Sequence, residues 1–179
     1  MSEPVLIVTG GPGAGKTTVS RILAERSKRS VHLDADRFFR LIVSGVVAPW
    51  LPESHEQNTV VMGAVAASAG LYAAGGYFTI VDGIVIPGWF FEPLRDDLRT
   101  RGAPVSYVVL RPPLDVAIRR SRERAEDAMG DPEVIRQLWR SFAELGPLER
   151  HVLDVREDDD PESVATRVAE RFAAGDLAV

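Results

Sequence analysis

The sequence predicts an α/β fold built around a mainly parallel sheet. Short apolar segments alternate along the chain with segments whose apolar residues have helical spacing, which is the pattern of strands joined by helices. The 179 residues suffice for one domain with a complete core, and 45% hydrophobic with 26% charged residues is typical of globular proteins. We expect a single domain over residues 1–179 with five strands.

The first half of the chain predicts three of these strands. The apolar run Val5–Thr9 is the first strand, and residues 16–27 form a helix because Val19, Ile22 and Leu23 recur at helical spacing. The elements that follow are a strand over residues 30–33, a helix over 37–43, a loop over 46–54, a long helix over 56–74 and a strand over 77–81.

The second half predicts the other two strands. A helix over residues 90–101 is ended by Gly102 and Pro104, since both residue types interrupt helices. Pro161 is a suitable first residue for the last helix, which reaches about residue 172. Between these two helices the sequence predicts a strand over 105–110, a helix over 114–125, a loop over 126–131, a helix over 132–145 and a strand over 151–155.

One stretch is long enough to span a bilayer. Residues 59–81 carry no charged side chain. They are rich in Ala and Gly, however, and Gly75-Gly76 separates a helix-like half from a β-branched half that leads to Asp82. A buried helix, a turn and a buried strand explain this stretch better than a membrane span.

Composition excludes several classes of protein. The net charge of −5 and the pI near 5.3 lack the basic footprint of a nucleic-acid-binding protein. The chain has no cysteine, which excludes disulfides and thiolate metal sites and agrees with a reducing cytoplasm. We therefore expect a cytoplasmic protein that binds neither nucleic acid nor membrane.

The segment Gly10 to Thr17 reads GGPGAGKT and fits the phosphate-binding pattern G-x-x-x-x-G-K-[ST], the P-loop. It lies between a predicted strand and a predicted helix, where backbone N–H groups and the positive helix end converge on a phosphate. Lys16 is one of only two lysines in an arginine-rich chain, and we expect it to act catalytically on the β- and γ-phosphates. The residues predicted to bind nucleotide are Gly11, Pro12, Gly13, Ala14, Gly15, Lys16, Thr17 and Thr18.

Carboxylates follow the second predicted strand at the sheet edge where ligands bind. Phosphoryl transfer needs a metal, charge neutralisation and a carboxylate that orients or deprotonates the attacking hydroxyl. Asp36 is the candidate for this catalytic base and Asp34 is the fallback. Either aspartate can instead cap the following helix, and for Asp34 a cap or a contact with substrate is favoured.

Asp82 ends an apolar strand in the manner of a Walker B aspartate. Together with the Thr17 hydroxyl, it is the predicted ligand of Mg²⁺. The structural alternative is a turn aspartate before glycine. Motor and remodelling ATPases carry a glutamate after this aspartate to activate water, whereas this chain has Gly83. The difference favours transfer to a bound hydroxyl over hydrolysis.

Arginines crowd the end of the helix predicted over residues 114–125. Arg120 and Arg124 are four residues apart and share a helix face, with Arg119 and Arg122 beside them. Planar guanidinium donors suit a phosphoryl group in transfer, and closing lids carry them in small kinases. We expect Arg120 and Arg124 to act catalytically, with Arg120 also on the nucleotide, in a lid near residues 119–133. The alternative is a solvated face paired with neighbouring acids.

The acceptor side is predicted from aromatic residues near Asp36 and after Asp82. Aromatic walls with a few polar groups suit a small, partly apolar ligand. Trp89, after Pro-Gly at a strand end, is the best single candidate for contact with the acceptor. Asp34 and Arg37 are the polar candidates, although Arg37 can equally pair with an acid.

The P-loop, Asp36 after the second strand, Asp82 after the third, and Arg120 with Arg124 resemble the small P-loop kinases related to chloramphenicol phosphotransferase. Shikimate, gluconate and adenylate kinases are more distant relatives. The resemblance implies a three-layer α/β/α P-loop fold with a five-stranded parallel sheet of order 2-3-1-4-5 and a small lid. It also implies ATP with Mg²⁺ and transfer of the γ-phosphoryl group to a small-molecule hydroxyl. In the chloramphenicol enzyme, the aspartate that matches Asp36 is the proposed base.

The acceptor regions differ from those of the chloramphenicol enzyme, so the acceptor is open among antibiotics, sugar-like metabolites and nucleosides. The main hypothesis is a small-molecule O-kinase, which a role in antibiotic resistance would suit. A nucleoside or nucleoside monophosphate kinase would use Arg37 and Arg40 on the acceptor phosphate. A non-kinase nucleotide-binding module is disfavoured, because the sequence lacks both a guanine-reading N-K-x-D segment and the water-activating glutamate. Both a monomer and a homodimer are compatible with the sequence.

Overall fold

A computed structural model of the chain describes residues 2–123 and 131–179. Its strands are β1 (Val5–Thr9), β2 (Ser30–Asp34), β3 (Phe78–Asp82), β4 (Val105–Arg111) and β5 (Val152–Asp154). They form one parallel sheet in the spatial order β2-β3-β1-β4-β5. The predicted fold class and strand order are confirmed.

Helices connect the strands on both faces of the sheet. They are α1 (Lys16–Glu25), α2 (Ala35–Phe39), α3 (His55–Ala74), α4 (Phe91–Thr100), α5 (Leu114–Glu123), α6 (Pro132–Arg140) and α7 (Pro161–Ala173). Short 3-10 turns at Pro52–Ser54 and Gly146–His151 precede α3 and β5. Residues 124–130, which include Arg124 and most of the predicted lid loop, lie outside the described residues.

Two hydrophobic cores sandwich the sheet, because successive strand residues point to opposite faces. In β1, Val5 and Ile7 pack with α3 and α4, whereas Leu6 and Val8 pack with α1 and α7. All four of these side chains are fully buried or nearly so. The result is the three-layer α/β/α arrangement that the resemblance implies.

The uncharged stretch divides as predicted into α3, a turn and β3. The helix was expected to be buried, but it is buried on one side only, because Val60 and Leu71 on its other side are 72% and 71% exposed. Val65 and Ala69 of α3 are fully buried against the sheet, which explains why this helix needs no charged residue on that side. No helix among the described residues is long and apolar enough to cross a membrane.

Several element boundaries differ from the prediction, and three of these differences have a clear structural reason. The helix expected over 37–43 is α2, which begins at Ala35 because Asp34 caps it, and ends at Phe39. The helix expected over 132–145 ends at Arg140, where bonds of the 3-10 type turn the chain and direct Phe142 into the core. His151 was expected to begin the last strand but ends the 3-10 turn before it.

The strand register determines which side chains meet at the carboxyl edge of the sheet. Asp82 at the end of β3 pairs with Val8 of β1 on one side and with Asp34 of β2 on the other. The loop that follows β1 therefore starts beside both aspartates. This edge holds the residues from which phosphoryl transfer was predicted.

Candidate active site

The P-loop connects β1 to α1 in the predicted position. No side chain among the described residues caps the amino end of α1, which leaves its first backbone N–H groups directed at a ligand site. The Nζ atom of Lys16 donates a hydrogen bond to the carbonyl oxygen of Gly11 at 3.0 Å, so the lysine folds over the loop. Thr17 is exposed at the helix start, while Pro12 and Ala14 are buried beneath the loop.

Helices α5 and α6 both pack against the P-loop. Gly13 has a φ of +73°, and a Cβ atom there would lie 2.2 Å from the carbonyl oxygen of Ala117 in α5. At Gly11, a Cβ atom would lie 3.5 Å from the Cα atom of Trp139 in α6. The indole of Trp139 donates to the carbonyl oxygen of Pro112 at 2.9 Å, which fixes α6 in this place. The loop is therefore shaped by its neighbours as well as by its own sequence.

Asp34 takes the capping role that either aspartate could have taken. Its Oδ1 atom accepts a hydrogen bond from the backbone N–H of Asp36 at 3.0 Å, and its Oδ2 atom lies 3.4 Å from Nε of Arg37. Arg37 is otherwise directed to solvent, with 81% of its side chain exposed. The carboxyl of Asp36 is thus not used for the cap and is available for chemistry.

The carboxyl of Asp36 lies in a mixed electrostatic field. The residue reaches solvent, but protein crowds its carboxyl, and this desolvation raises the pKa of Asp36 above its ordinary value. Lys16 lowers the same pKa, whereas the negative charges of Asp34 and Asp82 raise it and Arg40 lowers it. Asp36 therefore lies within electrostatic reach of the P-loop lysine and of both strand-end aspartates, as a base for phosphoryl transfer requires.

Asp82 is almost completely buried at the end of β3. Its Oδ2 atom lies 3.2 Å from Nε2 of His32 in the neighbouring strand β2. His32 belongs to none of the sequence motifs described above. The signal available was the alternation in β2, which places His32 and Asp34 on the same side of the strand.

Thr17 and Asp82 suit a magnesium ion that is held mainly by a nucleotide. Within the described ranges, no group of three or more His, Asp or Glu side chains could hold a metal ion alone. Mg²⁺ takes few protein ligands when phosphate oxygens and water complete its shell, and it prefers hard oxygen donors. An exposed hydroxyl and a buried carboxylate at the P-loop edge are donors of this kind.

A narrow pocket beside the P-loop contains Arg120. Its lining includes Ala14 and Gly15 from the loop, Thr18 from α1, Val155 and Asp159 from the segment that leads into α7, and Pro161 and Val164 from α7 itself. The guanidinium of Arg120 donates to the carbonyl oxygen of Glu157 at 3.3 Å. Arg119 forms an ion pair with the Glu157 carboxylate at 2.9 Å, in keeping with the solvated alternative for that residue.

A second pocket has Asp36 in its wall. Apolar side chains form most of its wall, namely Phe39, Trp50, Met62, Trp89, Phe90 and Leu138. Trp89, the predicted acceptor contact, therefore lies where expected, and its ring centroid is 4.5 Å from that of Phe90. Arg37 is not among the described residues that line this pocket.

The segment over residues 46–54 forms one wall of this pocket and is tied to α3. The side-chain amide of Gln57 donates to the carbonyl oxygen of Val47 and accepts from its N–H, both at 2.8 Å. The buried amide of Asn58 donates to Pro49 and to Ser54, again at 2.8 Å. We call residues 46–54 the strap. The loop was predicted from the sequence, but these bonds were not.

The loop that carries Trp89 is fastened to the sheet through Val85. The backbone N–H of Val85 donates to the Thr9 hydroxyl at 2.8 Å, and the buried Tyr107 hydroxyl donates to the Val85 carbonyl oxygen at 2.9 Å. Burial also raises the pKa of the Tyr107 phenol, so this group remains a donor. Strands β1 and β4 therefore position one wall of the pocket.

A sequence model of the AAA domain family AAA_33 matches residues 5–145, which is most of the chain. The chain belongs to this family. Its P-loop, Asp36 and Asp82 all lie within the matched range. A search of curated protein sequences found no match.

Solved structures of two kinases and of a resistance protein share the fold over nearly the whole chain. A sugar kinase from a Janibacter species is 18% identical with a TM-score of 0.68, covering 96% of this chain and 95% of that one. The tunicamycin resistance protein of Deinococcus radiodurans is 19% identical with a TM-score of 0.68, covering 95% of both chains. Shikimate kinase from Acinetobacter baumannii, solved with shikimate, is 23% identical with a TM-score of 0.63, covering 97% and 95%. The predicted resemblance to small P-loop kinases is confirmed at the level of fold.

Proposed function

We propose that the protein is an ATP-dependent phosphotransferase that moves the γ-phosphoryl group to a hydroxyl of a small molecule. The observation that carries this proposal is the position of Asp36. This residue lines the apolar pocket, and its carboxyl lies within electrostatic reach of Lys16. A hydroxyl held in that pocket would stand between a carboxylate base and the phosphate-binding loop.

The donor half of the site consists of the P-loop and the pocket with Arg120. The backbone of residues 11–15 and the Lys16 ammonium would hold the β- and γ-phosphates. The pocket that contains Arg120 has both apolar residues and the polar residues Thr18 and Asp159 in its lining, which suits the base of the nucleotide. Thr17 and Asp82 would hold Mg²⁺, which supplies charge neutralisation to the phosphates. Arg124 is proposed as a second cation, in a lid near residues 119–133.

The acceptor half supplies the base. The hydroxyl donates its hydrogen bond to the Asp36 carboxylate, and its oxygen forms the new bond to the γ-phosphorus. The bond from that phosphorus to the bridging oxygen breaks, ADP leaves, and Asp36 receives the proton. The raised pKa of Asp36 strengthens it as a base relative to an ordinary aspartate.

Hydrolysis is disfavoured by packing at Gly83. A Cβ atom at this position would lie 2.9 Å from the Cβ atom of Ala35 in α2, closer than real contacts of this kind. The backbone after Asp82 therefore leaves little space for the glutamate that activates water in ATPases. This supports an alcohol as the acceptor.

The test is an acceptor screen with ATP, Mg²⁺ and mass spectrometry for an added phosphoryl group. The panel includes antibiotics with free hydroxyls, because a resistance protein shares the fold. We expect Lys16→Ala to abolish transfer and Asp36→Asn to reduce it by a factor on the order of 10²–10⁴. Asp96→Asn, an exposed acid on α4, is the matched control and should be fully active. Full transfer by Asp36→Asn would remove the assignment of the base.

A further inference from the structure

We infer that the acceptor is a neutral alcohol with a bulky apolar group, such as an aromatic ring, and not an anionic or polyhydroxylated metabolite. This inference rests on the proposed function, because it assigns the pocket beside Asp36 to the acceptor. Three features of that pocket support it: the polarity of its wall, the charge around it and its extension toward solvent.

The wall of the pocket offers few hydrogen bonds to a ligand. Among the described residues that line it, the side chains with hydrogen-bonding groups are Asp36, Asn58 and the indoles of Trp50 and Trp89, each of which has a single N–H donor. The Nδ2 group of Asn58 is already used, because it donates to the carbonyl oxygen of Pro49 and to the Ser54 hydroxyl. A polyol would lose more water contacts here than these few groups can replace, which is costly. A ligand with one hydroxyl near Asp36 and an apolar body avoids this loss.

The charges around the pocket oppose an anion. No Lys, Arg or His occurs among the described residues of the wall. Arg37 is paired with Asp34, and Arg40 lies within electrostatic reach of Asp36 without forming part of the wall. Asp36 itself lines the wall, and Asp34 and Asp82 lie within its electrostatic reach, so a carboxylate or phosphate on the acceptor would meet like charges. Lys16 lies within the same reach, but in the proposed function it is occupied by the phosphates of the donor. This disfavours a nucleoside monophosphate as the acceptor.

The apolar surface continues beyond the pocket. A second depression shares Trp50 and Trp89 with it and adds Leu51, Pro52 and His55. Leu51 is 44% exposed, although it is a large apolar residue beside two tryptophans. Exposed apolar surface next to a cleft is typical of a ligand-binding groove. The apolar part of the acceptor can therefore extend from Trp89 along the strap.

Four small probes separate ring and charge. They are 1-phenyl-1,2-ethanediol, mandelate, 1,2-propanediol and lactate, which combine a phenyl or methyl group with a hydroxymethyl or carboxylate group around one secondary alcohol. Their affinities for the full chain are measured by ligand-observed NMR without nucleotide. We expect phenylethanediol to bind at least about tenfold more tightly than either mandelate or propanediol. Equal or tighter binding of mandelate or lactate would overturn the inference, as would the absence of any effect of the ring.

A pair of variants ties the effect to the pocket. Phe39→Leu removes a ring from the wall and should weaken phenylethanediol binding several-fold while leaving propanediol unchanged. Phe172→Leu makes the same change in α7, on the other face of the sheet, and should alter neither affinity. A loss of phenylethanediol binding in Phe172→Leu as large as in Phe39→Leu would contradict the assignment.

Transfer from ATP to the same four probes keeps the two proposals apart. Selective binding of phenylethanediol, with no phosphoryl transfer to any alcohol in the wider acceptor screen, would reject the proposed function and leave the pocket assignment intact. Transfer to mandelate or lactate at the rate seen with the diols would support the phosphotransferase and reject the neutral, apolar acceptor.

Discussion

Gly13→Ala tests whether α5 shapes the phosphate-binding loop. Alanine at a φ of +73° costs about 1 kcal/mol, because the left-handed region is strained for a residue with a Cβ atom. The new Cβ atom would also lie 2.2 Å from the carbonyl oxygen of Ala117. Either the loop or α5 must move by about 1 Å, and overpacking of this kind costs a further 1–3 kcal/mol, roughly. If about 2 kcal/mol of this cost is taken from the free energy of nucleotide binding, nucleotide affinity falls about 30-fold.

The assay is titration with a fluorescent ATP analogue in the presence of Mg²⁺, with thermal unfolding measured in parallel. Gly88→Ala is the matched control: its φ is +77°, and no atom of the described residues lies within 4 Å of the added Cβ atom. It should cost about 1 kcal/mol in stability and leave nucleotide affinity within about threefold of wild type. Wild-type affinity in Gly13→Ala, or an equal loss in Gly88→Ala, would refute the reasoning.

Two further predictions concern Asp36 and Tyr107. A carboxylate base is active when deprotonated, so transfer should fall as the pH drops through the raised pKa of Asp36. Asp34→Asn keeps a side chain that can cap α2, but it removes a negative charge that raises the pKa of Asp36. The acidic limb of the kcat/KM profile should therefore move to lower pH. A limb that stays in place or moves to higher pH would contradict this. Tyr107→Phe should destabilise the protein by about 1–2 kcal/mol and lower the Tm by about 2–8 °C, because the Val85 carbonyl oxygen keeps only a weak bond to Thr9 at 3.5 Å. Calorimetry checks this result, with Tyr72→Phe as the control because Tyr72 is 43% exposed. A Tm of Tyr107→Phe equal to that of Tyr72→Phe would contradict the prediction.

The P-loop could be predicted from the sequence because its constraints are local. Gly13 and Lys16 stand at fixed distances along the chain, between an apolar run and a helical pattern. The role of Asp34 could not be decided in this way, because α2 has only five residues and is too short to show a helical period. Whether Asp34 or Asp36 caps α2 depends on where the backbone leaves β2.

Contacts between distant segments were also beyond the sequence. His32 meets Asp82 across two strands that are neighbours in space but separated by α3 along the chain. The strand order itself came only from the resemblance to known kinases. The Gln57 side chain bonds only the backbone of Val47. Every residue except proline has these backbone groups, so the sequence of the strap gives no sign of the contact.

That last contact affects how the protein can change. Because Gln57 recognises the N–H and C=O groups of Val47, any residue except proline at position 47 can keep both bonds. Asn58 likewise contacts the carbonyl oxygen of Pro49 and not its ring. The anchors therefore place little restriction on the side chains of the strap. In the proposed function, residues facing the acceptor could be exchanged there while the strap keeps its course and the P-loop half remains unchanged, so this segment would be a natural place to alter the choice of acceptor.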